Sequence, residues 1–196
     1  MKHWIIICAA LLLSACSTTV ERVATDTTID LSGAWNDSDS RLVAQEMIQD
    51  VLSRPWITEH SGRTGGKRPA VIVGTVRNLS HEHINLKTFV ADMERELVNS
   101  GRVDFVASRD ERGDIRDERL DQDLNAREDT RKAAGQELGA DFMLTGQVNT
   151  IIDAEDNEQV RYYQVDLTLI SMADNRKVWL GQKKIKKLVK NASIRY

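Results

Sequence analysis

Two imidazoles flank a carboxylate in His81-Glu82-His83. In an extended segment alternate side chains share a side, so the pair would supply half of a zinc site. No HExxH spacing and no clear third ligand accompany it, and the sequence assigns these residues to a loop. A penicillin-binding type of nucleophile needs Ser-x-x-Lys, which no serine of the chain supplies. The stretch Gly62-Arg63-Thr64-Gly65-Gly66-Lys67-Arg68 invites comparison with a phosphate-binding loop. It lacks the spacing and precedes a strand instead of following one, so it too reads as a loop. Acidic residues are plentiful between positions 109 and 131, but arginines are interleaved with them, as on a solvated helix laced with i, i+4 pairs. The functional alternative is a docking face, because arginine makes bidentate contacts to a partner's carboxylates. The run Lys183-Lys184-Ile185-Lys186-Lys187-Leu188-Val189-Lys190 reads equally as a contact for anionic lipid or polymer and as a charged strand edge that discourages aggregation. The residues therefore predict no enzyme, no cofactor and no metal.

The remaining reactive group is a cysteine that follows a short apolar run. Residues 4–13 are too few for a bilayer core, which needs ~20 apolar residues. Lys2 ahead of the run and Ser14 and Ala15 behind it make a secretory signal. The order Leu13-Ser14-Ala15-Cys16 resembles a bacterial lipobox, in which cleavage before the cysteine is followed by acylation of Cys16. At ~0.8 kcal/mol per buried CH₂, three acyl chains anchor essentially permanently. Ser17, where Asp would retain such a protein at the inner membrane, places it on the periplasmic leaflet of the outer membrane. With Cys8 removed and Cys16 acylated no thiol is left, so stability comes from packing without disulfides. The expected division is a signal peptide over residues 1–15, a lipid-anchored flexible tether over 16–35 and one domain over 36–196.

The chain has 196 residues and a net charge of −3, which excludes global nucleic-acid binding and suits a single domain. Asp37 or Ser38 caps a helix whose apolar positions Ala44, Met47, Ile48, Val51 and Leu52 recur at helical spacing, and Pro55 ends it. Residues 69–76 form a buried strand. Asn85 caps a helix over 86–100 with the stripe Phe89, Val90, Met93 and Leu97, closed by Gly101. A short strand over 103–107 follows, then a capping box at Ser108 and Glu111, and a further helix is expected over 127–138. Residues 141–150 read as a strand, and 159–172 and 177–187 as a hairpin turning at 173–175. This order predicts an α/β fold, a mixed β-sheet flanked by α-helices, in a single domain with a flexible N-terminal tether.

Three segments together carry a family likeness. They are residues 76–85 (VRNLSHEHIN), residues 135–146 (GQELGADFMLTG), and Tyr163-Gln164-Val165-Asp166-Leu167 with Val178-Trp179. This set resembles the LpoB-like penicillin-binding protein activators, with their R-N-x-[ST]-x-E-x-I-N, G-A-D-[YF]-x-L-x-G and closing V-W patterns. The resemblance implies an outer-membrane lipoprotein that faces the periplasm as a monomer and activates a bifunctional class A penicillin-binding protein. Catalysis would then belong to the partner. Asn78, Glu82, Arg127 and Arg131 are the candidate partner-binding residues, polar positions presented by a loop after a buried strand and by the charged segment. One departure is the tether: the family's long proline-rich segment is replaced here by roughly 20 residues, at most ~70 Å when extended. The core also resembles the periplasmic domain of curli-type secretion lipoproteins, which assemble into a pore. That reading needs membrane-spanning strands of ~9 to 11 residues, for which the chain offers only the two hairpin strands.

Overall fold

The structure, a computed structural model, describes residues 19–190, so the expected signal peptide over residues 1–15 and Cys16 lie outside the described residues. Helix α1 (Asp37–Ser53) is capped by Asn36, at least one residue earlier than the Asp37 or Ser38 expected from sequence. Asn36 accepts from the Asp39 amide while the Asp39 carboxylate accepts from Asn36, a reciprocal capping box. Val43, Ala44, Met47, Ile48 and Val51 form its buried stripe. Pro55 does end α1, but it also opens α2 (Trp56–Arg63), which the sequence reading missed. The signal was present: a proline whose fixed φ suits a first turn, then Trp56, Ile57 and His60, all buried. The Trp56 indole donates to the Val51 carbonyl at 2.7 Å and locks the corner between the two helices.

Strand β1 (Ala70–Leu79) leads through the 80–85 loop to α3 (Leu86–Asn99), capped by Asn85 as expected and buried through Phe89, Met93 and Leu97. Strand β2 (Asp104–Phe105) is short, and α4 (Arg109–Asn125) begins at the capping box of Ser108 and Glu111. Then come β3 (Phe142–Glu155), β4 (Glu158–Ser171) and β5 (Lys177–Lys190). The expected helix over 127–138 is not found: the chain there is irregular, with Gly135 at φ +77°. That stretch has no apolar stripe to bury, and its one large apolar side chain, Leu138, stays exposed. Without tertiary packing a short helix does not offset its nucleation cost, and a left-handed glycine interrupts it. The charged segment ahead of it forms the helix instead.

The strands make one mixed sheet in the order β2-β1-β3-β4-β5, parallel across β2, β1 and β3 and antiparallel from β3 to β5. The α/β architecture expected from sequence is therefore the one found. Both hairpin strands on which a pore reading would draw belong to this sheet. Period-two alternation sends Tyr163, Val165, Leu167 and Leu169 inward to meet α1 and α3, while Gln164, Asp166 and Thr168 face the other way, half-buried. At Gly181 a Cβ would lie 2.2 Å from the Trp179 ring, so the missing side chain is what lets the indole fold back toward Met47 of α1.

Candidate functional site

The end of β1 and the 80–85 loop hold two of the four candidate docking residues, Asn78 and Glu82, and both are engaged internally. The Asn78 amide donates to the Glu82 carbonyl at 2.8 Å, and its oxygen accepts from the Ser80 amide and hydroxyl at 3.0 and 2.6 Å. Asn78 therefore shapes the turn. The Glu82 carboxylate accepts from the Tyr163 hydroxyl at 2.7 Å and from an Arg161 guanidinium nitrogen at 3.1 Å, while its second oxygen accepts from the Trp35 amide at 3.0 Å. Burial first, and then the bond to Glu82, push the Tyr163 phenol far above its ordinary range, so it is a permanent donor here. The Trp35 ring meets Tyr163 edge-on at 5.5 Å between centroids. Glu82 thus clasps the segment before α1 to the centre of the sheet.

Residues 30–35 form a strap across the inner side of β5. Lys187 Nζ donates to Asp30 at 2.6 Å, to Asp39 at 2.7 Å and to the Ala34 carbonyl at 3.2 Å. Burial pulls the Lys187 pKa down, yet the bonds from Asp30 and Asp39 outweigh it and leave it above its ordinary value. The same bond to Lys187 holds Asp30 below the usual carboxylate range. Both shifts favour the charged forms, and the pair is ionised throughout the neutral range. The basic run thereby divides by the pleat. Lys183 and Lys187 point inward and meet Glu46, Asp30 and Asp39, whereas Lys184 and Lys186 point outward and are exposed. β5 is also an edge strand, as one reading of the lysines anticipated.

The histidines serve the fold. Thr150 Oγ1 lies 3.1 Å from His81 Nδ1, and the His81 amide donates to the same oxygen at 3.1 Å; His83 is exposed. Buried His60 lies with Nε2 3.5 Å from Asp141, whose carboxylate accepts from the Ala70 amide at 2.8 Å. Among the described residues no group of three His, Cys, Asp or Glu is placed to hold a metal. The glycine-rich stretch, expected to be all loop, begins as the last two residues of α2, Gly62 and Arg63, and then turns away, with Gly65 and Gly66 at φ +70° and +90°.

Arg127 and Arg131 stand apart from Asn78 and Glu82, and no hydrogen bond or ion pair of the described residues joins the two sets. Arg127 is 80 % exposed and pairs only with Asp129, at 2.6 Å; Arg131 is exposed as well. Between them and the sheet, Glu137 accepts a bidentate contact from Arg116 at 2.8 and 2.9 Å and a third bond from Arg119 at 3.2 Å. The sequence reading passed over this fork. Its signal was the spacing of Arg109, Arg112, Arg116 and Arg119, which puts four guanidiniums on one side of a helix. No ion pair closes within α4 among the described residues, so the expected lacing of i, i+4 pairs is replaced by these contacts to Glu137.

A mixed sheet with its main helices on one face, a strap clasped across it and an arginine-rich helix left at the surface make this a single α/β domain. The chain belongs to the peptidoglycan-synthase activator LpoB family, whose model matches residues 39–185. The family is one of activators rather than enzymes. Among solved structures, the LpoB C-terminal domain from Salmonella enterica is 15 % identical over 76 % of this chain and 99 % of its own, with a TM-score of 0.41. The Escherichia coli LpoB solution structure is 12 % identical over 91 % of this chain and 84 % of its own, with a TM-score of 0.42. The lipoprotein GNA1162 from Neisseria meningitidis is 13 % identical over 64 % of this chain and 87 % of its own, with a TM-score of 0.40. A search of curated proteins finds no match.

Proposed function

We propose that this chain is an outer-membrane lipoprotein, anchored through Cys16 and facing the periplasm, that binds and activates a bifunctional class A penicillin-binding protein and so regulates peptidoglycan synthesis. The observation that carries the reading is the family match over residues 39–185, joined to the lipobox at Cys16. Glycan polymerisation and peptide cross-linking are the partner's. The strap tightens the geometry of this encounter. With Asp30 tied to Lys187, at most residues 17–29 separate anchor and domain, a reach of no more than ~45 Å at full extension. The partner must therefore reach toward the outer membrane to be met.

The anchor is tested by Cys16→Ser, which is expected to abolish incorporation of a labelled fatty acid and leave the uncleaved precursor. Continued labelling would remove the lipobox argument. The docking face is tested by Arg127→Glu with Arg131→Glu, two exposed positions remote from the core. Reversing two charges of an electrostatic interface is expected to weaken binding to the cognate synthase about tenfold or more, with an unchanged melting temperature. Full stimulation of glycan polymerisation by the double variant would move the face elsewhere. Asn78 and Glu82, which stand apart from these arginines, act in this reading through the shape of the loop they hold.

A further inference from the structure

The charges of α4 are segregated. At 100° per residue, Arg109, Arg112, Arg116 and Arg119 fall within about a quarter-turn, and Asp110, Asp114, Asp117 and Asp121 lie on the opposite side. Most charged neighbours at i, i+4 are consequently alike, Arg112 with Arg116, Asp110 with Asp114 and Asp117 with Asp121, and they repel, Arg119 with Asp123 being the exception. A helix that only had to be soluble would interleave the signs. None of its side chains is buried, and Ile115, Leu120 and Leu124 are exposed.

The arginine side of α4 overlooks a groove closed by residues 134–138. Glu137 is the acid that pairs with it, through Arg116 and Arg119, while Asp123 on the same side makes no ion pair among the described residues. Arg112 is left over: its Nε is buried and has no hydrogen-bond partner among the described residues. It borders a hollow of about 200 Å³ whose walls are otherwise mainly apolar, from Phe105, Val106, Ile115 and Leu138. Beyond the Glu137 fork a second hollow of about 420 Å³ is lined by Leu120, Ala134 and Gly135. A buried N–H without an acceptor is costly, and an excess of guanidiniums attracts carboxylates.

We propose that this groove is a docking site for an acidic segment of the synthase, in which an apolar side chain enters the hollow over Ile115 and Leu138 while the adjacent carboxylate accepts from Arg112 Nε–H. The inference deepens the activator reading and rests on it for the partner's identity. Charge complementarity selects the occupant: the free donor and the arginine stripe fit an anion, and the apolar walls fit a peptide side chain better than an isolated phosphate.

The test uses the ¹⁵N-labelled mature chain and two peptides, acetyl-Asp-Leu-Glu-Phe-Asp-amide and its lysine counterpart acetyl-Lys-Leu-Lys-Phe-Lys-amide. The Arg112 Nε–H resonance and the Ile115 methyl are expected to shift together and saturably with the acidic peptide only. Arg112→Gln, checked for unchanged helicity, is expected to weaken both that peptide and the synthase about tenfold. An equal response to the lysine peptide, no response at Arg112, or an unweakened Arg112→Gln variant overturns the proposal. Should the acidic peptide bind in the groove while the parent chain binds no class A synthase, the activator reading fails and the groove stands as a site for acidic peptides.

Discussion

Trp179→Ala is expected to destabilise the domain by about 3–5 kcal/mol, the usual range for deleting a large buried aromatic. The indole is 4 % exposed, near one end of the sheet's last strand pair, where Trp179 sits opposite Leu169 and reaches back over Gly181 toward Met47. Alanine would leave a cavity between α1 and β5 that neither rigid element can close. It would also remove a hydrogen bond, since the indole N–H donates to Asp50 at 2.6 Å. Burial raises the Asp50 pKa, but the bonds from Arg54 and Trp179 outweigh that and hold it below its ordinary value, so the carboxylate would lose one of two donors. A urea titration measures the loss. Trp179→Phe, which keeps most of the volume and loses the donor, is expected to fall well short of it. A midpoint unchanged in the alanine variant would mean that the ring carries no core packing.

Glu82→Ala is expected to cost about 2–4 kcal/mol, because it strands three donors at once and leaves the Arg161 charge, itself only 21 % exposed, without its partner. The Tyr163 hydroxyl keeps a single 3.3 Å bond to the Gly33 carbonyl, and the Trp35 amide loses its acceptor. Glu82→Gln, which retains an acceptor but not the charge, is expected to lose less. Hydrogen exchange separates the clasp from general destabilisation: the Trp35 amide should exchange faster in both variants under conditions where the α3 amides remain protected. Unaltered exchange at Trp35 would show that the strap is held without Glu82.

The elements most legible in the sequence were those whose burial follows from local periodicity. The α1 and α3 stripes recur at helical spacing, the β4 residues Tyr163, Val165, Leu167 and Leu169 alternate, and Asn85 and Gly101 mark the ends of α3, so the α/β class could be read from neighbours a few residues apart. What escaped was decided by contacts between residues far apart in the chain. Residues 127–138 had helix-forming composition but nothing to pack against, whereas α4, with no buried side chain, held through its capping box and its arginines' grip on Glu137. Glu82 looked like a loop residue free to meet a partner until the fold brought Trp35 and Tyr163, 47 and 81 residues away, to its two oxygens. The lysines of β5 read as one basic run because composition does not see the pleat. Only the pairing of β5 with β4, and the passage of α1 and the strap beneath it, turned Lys183 and Lys187 into internal ties and left Lys184 and Lys186 to solvent. Local periodicity determines which face of an element is apolar, and that much the sequence settled by itself. Which polar group finds a partner depends on loop closures that bring distant residues together, and those the tertiary structure decided.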